Sequence, residues 1–449
     1  MADLIKKGVH GCTREELYVA PSDPVIQERL EWFRDQKLAL MMHFGPYAQM
    51  GVDCSWPLSE QDSWARKLVD WEADLDVFRE QYINLNKSFN PFHIQPDKWA
   101  EFAKENGFKY LIFTTKHHDG FCMFDTKYTD YKITSLECPF HTHKYANIVR
   151  SVFDAFRNDG LAIAAYFSKP DWHCPWYWAK GMEKPWGKDR HPTYNPQEHP
   201  DVWEKYIEFT HNQMAELLEE YGKIDILWLD GGQVKPQCNQ DIRMDEFVER
   251  ARKIQPSLIV VDRTVGGANE NYITPEQSIP DRGINVPWES CVTLGTRWCY
   301  RYNDTYKTSR EMVKMLAEVV SRGGNLAINI GPQPDGRLPE RALNELRGLG
   351  KWLKINGDAI YGTRALEVPQ IENVMFTKKD DVVYAIVPFD EGVCLENTLK
   401  IFSNKQVESI TCLGFEASLG FVQSGSEITV TLPSELVGKN PFAVSFAMK

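Results

Sequence analysis

Several apolar runs in this chain stop abruptly at a residue that can do chemistry. Ile224-Asp225-Ile226-Leu227-Trp228-Leu229 ends in Asp230-Gly231-Gly232, and Leu38-Ala39-Leu40-Met41-Met42 ends in His43-Phe44-Gly45. Tyr110-Leu111-Ile112-Phe113-Thr114-Thr115 runs into Lys116-His117-His118-Asp119-Gly120, Leu161 to Phe167 carries Tyr166, and Leu258 to Asp262 leads to Arg263. A short apolar run closing on a charge and glycine reads as a buried strand emerging into a loop. Collected, these ends offer His43, His117, His118, Tyr166, Trp228, Asp230 and Arg263, with Glu276 and Glu289 on a long connection. Two chemistries fit the set. One is metal-assisted hydrolysis, with His43, His117, His118 and Asp230 as ligands. The other is glycoside hydrolysis, in which two carboxylates act and the histidines hydrogen-bond a neutral sugar. Adjacent residues of a strand point to opposite faces, so His117 and His118 favour the metal reading only if the backbone bends there.

The elements that must hold these residues alternate. Helical spacing is expected near 26–35, 99–106, 148–157, 203–220, 247–254, 308–320 and 339–356, between strand-like runs ending near 42, 115, 167, 229, 263 and 331. Thr308 and Glu311 form a capping-box signature for the sixth of these helices. Strands alternating with helices argue a parallel sheet, and neither a G-x-G-x-x-G nor a P-loop motif is present. Polar groups at the ends of many strands favour a (β/α)₈-like, TIM-type barrel over a doubly wound sheet. Beyond about residue 366 the texture changes to short strand-like runs (382–387, 398–402, 409–411, 427–432 and 442–446) between polar turns. The expected organisation is an α/β barrel with an N-terminal arm over 1–365 and a β-sandwich over 366–449.

A net charge of −12 argues against nucleic acid and against an anionic membrane as partners. The ten cysteines are scattered without a C-x-x-C pair, the pattern of reduced buried thiols rather than of a disulfide framework or zinc site. The first residues lack an apolar signal core and no 18-residue apolar run occurs, so a cytoplasmic location is expected.

Three stretches resemble glycoside hydrolase family 29, the α-L-fucosidases. Thr114-Thr115-Lys116-His117-His118-Asp119-Gly120-Phe121 is similar to that family's T-K-H-H-[DE]-G-F segment, and Trp228-Leu229-Asp230-Gly231 to its W-x-D-G nucleophile strand. Gly323-Gly324-Asn325 through Gly331-Pro332, then Asp335-Gly336 and Asn356-Gly357-Asp358-Ala359-Ile360-Tyr361-Gly362-Thr363, resemble its later motifs in the same order. The resemblance implies a barrel followed by a sandwich, and an exo-acting, retaining release of α-linked L-fucose from glycosides or oligosaccharides without metal or other cofactor. It implies Asp230 as nucleophile. For the acid/base it implies Glu289, in Pro287-Trp288-Glu289, with Glu276, in Thr274-Pro275-Glu276, as the second choice. His43, Trp56, His117, His118, Tyr166, Trp228, Arg263 and Trp298 are expected to bind the sugar, with Trp298 or Phe44 against its C5 methyl.

The chain departs from the family pattern in places. His43-Phe44-Gly45 stands for H-W-G, Asp262-Arg263 for N-D-R, and Ser55-Trp56 for E-W, whose glutamate touches the sugar. L-galactose differs from L-fucose by a C6 hydroxyl, so an α-L-galactosidase or a mixed specificity is the near alternative, and a non-catalytic carbohydrate-binding member the remote one.

Overall fold

Seven parallel strands form one curled sheet in the computed structural model, which describes residues 6–7, 11–66 and 74–449. They are β1 (Leu38–Met42), β2 (Tyr110–Lys116), β3 (Ala162–Ser168), β4 (Ile226–Asp230), β5 (Ile259–Asp262), β6 (Glu289–Thr293) and β7 (Asn325–Ile330), in the order β5-β4-β3-β2-β1-β7-β6. Between the two edges lies segment 270–277 in place of a regular eighth strand. Glu270 bridges Val261 of β5, while Ile273 and Glu276 bridge Trp288 and Cys291. Pro275 has no amide donor, which interrupts any ladder this stave could build. The architecture is therefore a (β/α)₈-like barrel with seven regular strands and one irregular stave.

The period of two along each strand sorts side chains between the barrel lumen and the outer layer. Ala39 and Met41, Tyr110 and Ile112, Ala164 and Tyr166, Ile226 and Trp228, and Ile259 and Val261 share one inner cluster. Their neighbours Leu40, Leu111, Phe113, Ala165, Leu227, Leu229 and Val260 face the other way, into the larger core under the helices. Those helices include α1 (Pro24–Gln36), α2 (Pro96–Glu105), α3 (Ile148–Asn158), α4 (Pro200–Glu220), α5 (Met244–Ile254), α6 (Ser309–Ser321) and α7 (Glu340–Asn356). The capping box expected at Thr308 and Glu311 is present at the start of α6. Helix α1 closes the base of the barrel: Ile26, Leu30 and Phe33 belong to the inner cluster, and Phe33 stacks on Tyr272 at 4.1 Å.

The C-terminal strands are β8 (Arg364–Ile371), β9 (Val374–Lys379), β10 (Val382–Pro388), β11 (Thr398–Phe402), β12 (Ile410–Cys412), β13 (Phe421–Ser424), β14 (Glu427–Thr431) and β15 (Ala443–Met448). They form a five-stranded sheet, β8-β9-β10-β15-β12, and a three-stranded sheet, β11-β14-β13. Strands β6, β8, β9 and β13 are not among the runs expected from sequence. Each hides its period: β8 is largely half-exposed and contains Pro369, and β13 is only four residues long. Among the described residues no helix is long and apolar enough to cross a membrane.

Candidate active site

The carboxyl ends of the strands surround a cavity of about 610 Å³, where barrel folds place their chemistry. His43, Trp56, His117, His118, Tyr166, Trp228, Asp230, Arg263, Glu276 and Trp298 all line it. Neighbouring strands explain the grouping. Tyr166 and Trp228 are register partners on β3 and β4, so their rings stack 5.2 Å apart, and Asp230 pairs with Ser168 one inward position further up.

Asp230 is held by three donors. The Tyr166 hydroxyl donates to Oδ2 at 2.6 Å, while Arg263 Nη1 and the Gly231 amide donate to Oδ1 at 2.9 and 2.8 Å. Burial alone would favour the protonated acid, but the Arg263 charge, His118 and the Tyr166 hydroxyl outweigh it and hold this carboxyl well below the usual range. It is an anion at any physiological pH. Arg263 is itself oriented on every side: Nη2 donates to Glu276 Oε2 at 2.7 Å, Nε donates to Thr274 Oγ1 at 2.9 Å, and its guanidinium lies 4.5 Å over Trp228. One guanidinium thus spans two carboxylates.

The histidine pair sits beyond the last residue of β2. A register irregularity after Thr114 and a turn in which Gly120 donates to the His117 carbonyl bend the chain, so both rings face the cavity, 4.3 Å apart. Each of the three histidines has its Nδ1 engaged: His43 with Asn329 at 2.7 Å, His117 with Ser55 Oγ, His118 with Ser168 Oγ. Ser168 donates its own proton to the Pro170 carbonyl, so it accepts from His118 Nδ1–H, leaving Nε2 of that neutral ring as an acceptor. Burial pushes His43 and His118 down to about 4 and holds His117 well below its ordinary value, so all three are neutral near pH 7. Neutral acceptors suit hydroxyl donors. His117, His118 and Asp230 also place ligand atoms within 4.8 Å of one another, a set able to hold a metal ion. Arg263 already neutralises the carboxylate of that set.

Glu289 does not reach the cavity. It opens β6, and its inward-facing strand-mates Cys291 and Thr293 lie above it, Thr293 at the cavity wall. Four residues at about 3.3 Å each put it roughly 13 Å along the strand from Thr293. Its side chain is fully buried and accepts from Tyr110, from Trp228 Nε1 at 3.1 Å and from Tyr272 at 3.3 Å. Burial raises it to about 7 despite those donors. A raised carboxyl is what an acid catalyst needs, but this one is sealed beneath the Trp228 floor, away from any leaving group. Glu276, its side chain 37% exposed, is the second carboxylate in the cavity.

Phe44 also departs from expectation: it packs against Phe89 and Trp99 in the outer core and touches no cavity wall. Trp298 lines the wall, 5.1 Å from His43. Ser55 is buried behind His117 and orients it. Asp262 forms a buried ion pair with Lys169, and Lys116 pairs with Asp171 at 2.9 Å. The sequence reading missed Asn329 and Ser168, which fix the histidines, and Asp53, Trp64, Arg190 and Arg297 at the cavity wall. Asn329 lies in an expected strand at an inward position, which was its only signal.

Known proteins share this chain's sequence and fold over most of its length. The α-L-fucosidase family model matches residues 10–358. An α-L-fucosidase of Branchiostoma floridae is 28% identical over 429 residues, covering 90% of this chain and 88% of its own. The solved structure of α-L-fucosidase isoenzyme 1 from Paenibacillus thiaminolyticus superposes with a TM-score of 0.77 at 29% identity, covering 95% of this chain and 99% of that one. The fold is shared with a family 29 α-L-fucosidase from Bacteroides thetaiotaomicron, solved as a trapped covalent intermediate with 2-fluoro-fucosyl fluoride (TM-score 0.75, 24% identity, 99% of each chain). Strand-end carboxylates, neutral histidines and a family match over most of its length together place this chain in the α-L-fucosidase family of glycosidases.

Proposed function

We propose that the chain releases terminal α-linked L-fucose by double displacement, with Asp230 as nucleophile and Glu276, not Glu289, as acid/base. The observation that carries this reading is Arg263 holding both cavity carboxylates on its two terminal nitrogens. Retaining glycosidases need their carboxyl groups close, about 5–5.5 Å apart, and a shared guanidinium supplies such a spacing. In the first step Glu276 gives its proton to the departing oxygen while Asp230 attacks the anomeric carbon, inverting it to a β-fucosyl ester. Once Asp230 is esterified its charge is gone and Arg263 is left to Glu276 alone. Glu276, left as the carboxylate by the first step, takes a proton from water as water attacks and restores the α configuration. His43, His117, His118 and Trp298 bind the sugar in this reading, with Tyr166, Trp228 and Arg263 completing the floor. The substrate is a fucosylated glycoside or oligosaccharide. The ten free cysteines support a reducing, cytoplasmic setting.

Azide separates the two roles by stereochemistry. With an activated aryl α-L-fucoside, Asp230→Ala should lose on the order of 10⁴-fold or more in kcat, and azide should yield the inverted β-L-fucosyl azide. Glu276→Ala should be milder on this good leaving group, which needs little acid assistance, and should yield the retained α-L-fucosyl azide. Retained azide product from Glu289→Ala but not from Glu276→Ala would reverse the assignment. Exhaustive EDTA treatment should leave turnover intact, and the aryl α-L-galactoside should be the poorer substrate.

A further inference from the structure

The cavity is larger than one sugar requires. Allotting each non-hydrogen atom of a deoxyhexose the volume of a liquid water gives a generous roughly 330 Å³, about half of the 610 Å³ present. In an exo-acting pocket the terminal sugar fills the buried end and the leaving group lies toward the mouth. At that mouth stands Trp64, lining the same cavity as Asp230 yet 39% exposed. A large aromatic left open in a concave wall is informative in a way that a scattered surface residue is not.

Its surroundings fix it in place. The Trp64 indole N–H donates to Asp62 Oδ1 at 3.0 Å, and Asp62, almost fully buried, also accepts from Arg190 Nε at 2.9 Å and from Arg190 Nη2. The Arg190 guanidinium lies 4.3 Å over Trp56, whose ring meets His118 at 4.8 Å. Arg66, in the same short helical turn as Trp64, donates to the carbonyls of Pro57, Ser59 and Glu60. The indole is therefore ordered before any ligand arrives, which removes a cost that binding would otherwise bear. The cations of the rim face carboxylates already: Arg190 is committed to Asp62, and Arg297 lies 3.7 Å from Asp53. A neutral ligand fits better than an anionic one.

We propose that Trp64 is the stacking platform of a leaving-group subsite that takes a neutral pyranose ring, the sugar to which fucose is attached. This rests on the glycosidase reading above. The apolar C–H face of a pyranose lies on the indole face away from Arg297, whose guanidinium stands 5.8 Å over the ring.

The test compares two substrates that differ only beyond the anomeric centre: α-L-fucosyl fluoride, whose leaving group is one atom, and the best-cleaved member of a panel of fucosyl-galactose and fucosyl-N-acetylglucosamine disaccharides. In Trp64→Ala the ratio of kcat/KM for disaccharide to that for fluoride should fall about five- to tenfold, the size of one aromatic contact. Trp64→Phe, which keeps a flat face but loses the N–H, should retain most of the ratio. An unchanged ratio in Trp64→Ala, with both substrates affected equally or not at all, overturns the subsite while leaving the catalytic reading intact. Failure of the unmodified protein to cleave either substrate overturns the catalytic reading itself, and the subsite with it.

Discussion

Single residues in this site are set by what stands behind them. The three histidines present neutral rings because burial opposes their protonation, and Asn329, Ser55 and Ser168 fix the rings through their inner nitrogens. As pH falls toward about 4, His43 and His118 take up protons and lose the acceptors that a sugar hydroxyl needs. An acid limb in kcat/KM near that pH, steeper than one proton, is expected with an aryl α-L-fucoside. Glu289 gives a prediction of opposite kind. Its carboxyl titrates near 4.5 in the unfolded chain and about 7 in the fold, so its contribution to stability is full below pH 4.5 and is lost as pH rises through about 7. Glu289→Gln abolishes that dependence. The stability of the unmodified protein relative to the variant should therefore drop by a few kcal/mol between pH 4.5 and 7, read from denaturant midpoints at several pH values. Asp230 was legible in the sequence because an apolar run ends at it. The choice between Glu276 and Glu289 was not, because motif similarity says nothing of depth: four residues along one strand separate the barrel floor from the cavity wall.

Elements matter here chiefly at their ends. Gly231 follows Asp230 with φ +89°, and a Cβ placed on it would lie 2.1 Å from Pro170 Cδ. An alanine there must both adopt a left-handed backbone and push away the exit of β3, dragging the Asp230 carboxylate from Tyr166 and Arg263. Gly231→Ala should reduce kcat at least about 10²-fold by misplacement alone while the far-ultraviolet dichroism stays that of the parent. The strands with unbroken aliphatic runs, β1 to β5 and β7, were readable from their residues. Strand β6 was not, because Glu289-Ser290-Cys291-Val292-Thr293 carries a buried acid and two buried hydroxyls in place of an aliphatic run. Nor was the stave over 270–277, whose backbone is too irregular to leave a period. These two unread pieces carry Glu289 and Glu276 respectively.

At the scale of the molecule, the C-terminal sheet is part of the barrel's cover. Along β9, β10 and β15, Met375, Tyr384, Ile386 and Ala443 face the barrel core, whereas Val374, Phe376, Ala385, Val387 and Val444 face the sandwich's own. Trp352 of α7 donates to the Ala443 carbonyl at 3.0 Å, and Arg310 of α6 donates to the Phe389 and Pro441 carbonyls at 2.8 and 2.7 Å. A chain ended after residue 365 should expose this face of α6 and α7 and partition into the insoluble fraction on expression, whereas the full chain does not. That β-sheet structure follows the barrel was readable from the change of texture after the last helix; that it shares a core with the barrel was not, since each β-strand shows two apolar faces without saying what covers them. Asp230 is expected to form a covalent bond to the sugar, and the direct measurement is peptide mapping by mass spectrometry after inactivation with 2-fluoro-fucosyl fluoride. The label is expected on the peptide containing Asp230, at that residue, in one equivalent per chain, and at an undiminished rate in Glu289→Gln. A label on any other carboxylate, or hydrolysis of a fucoside with inverted configuration and no label at all, would contradict it.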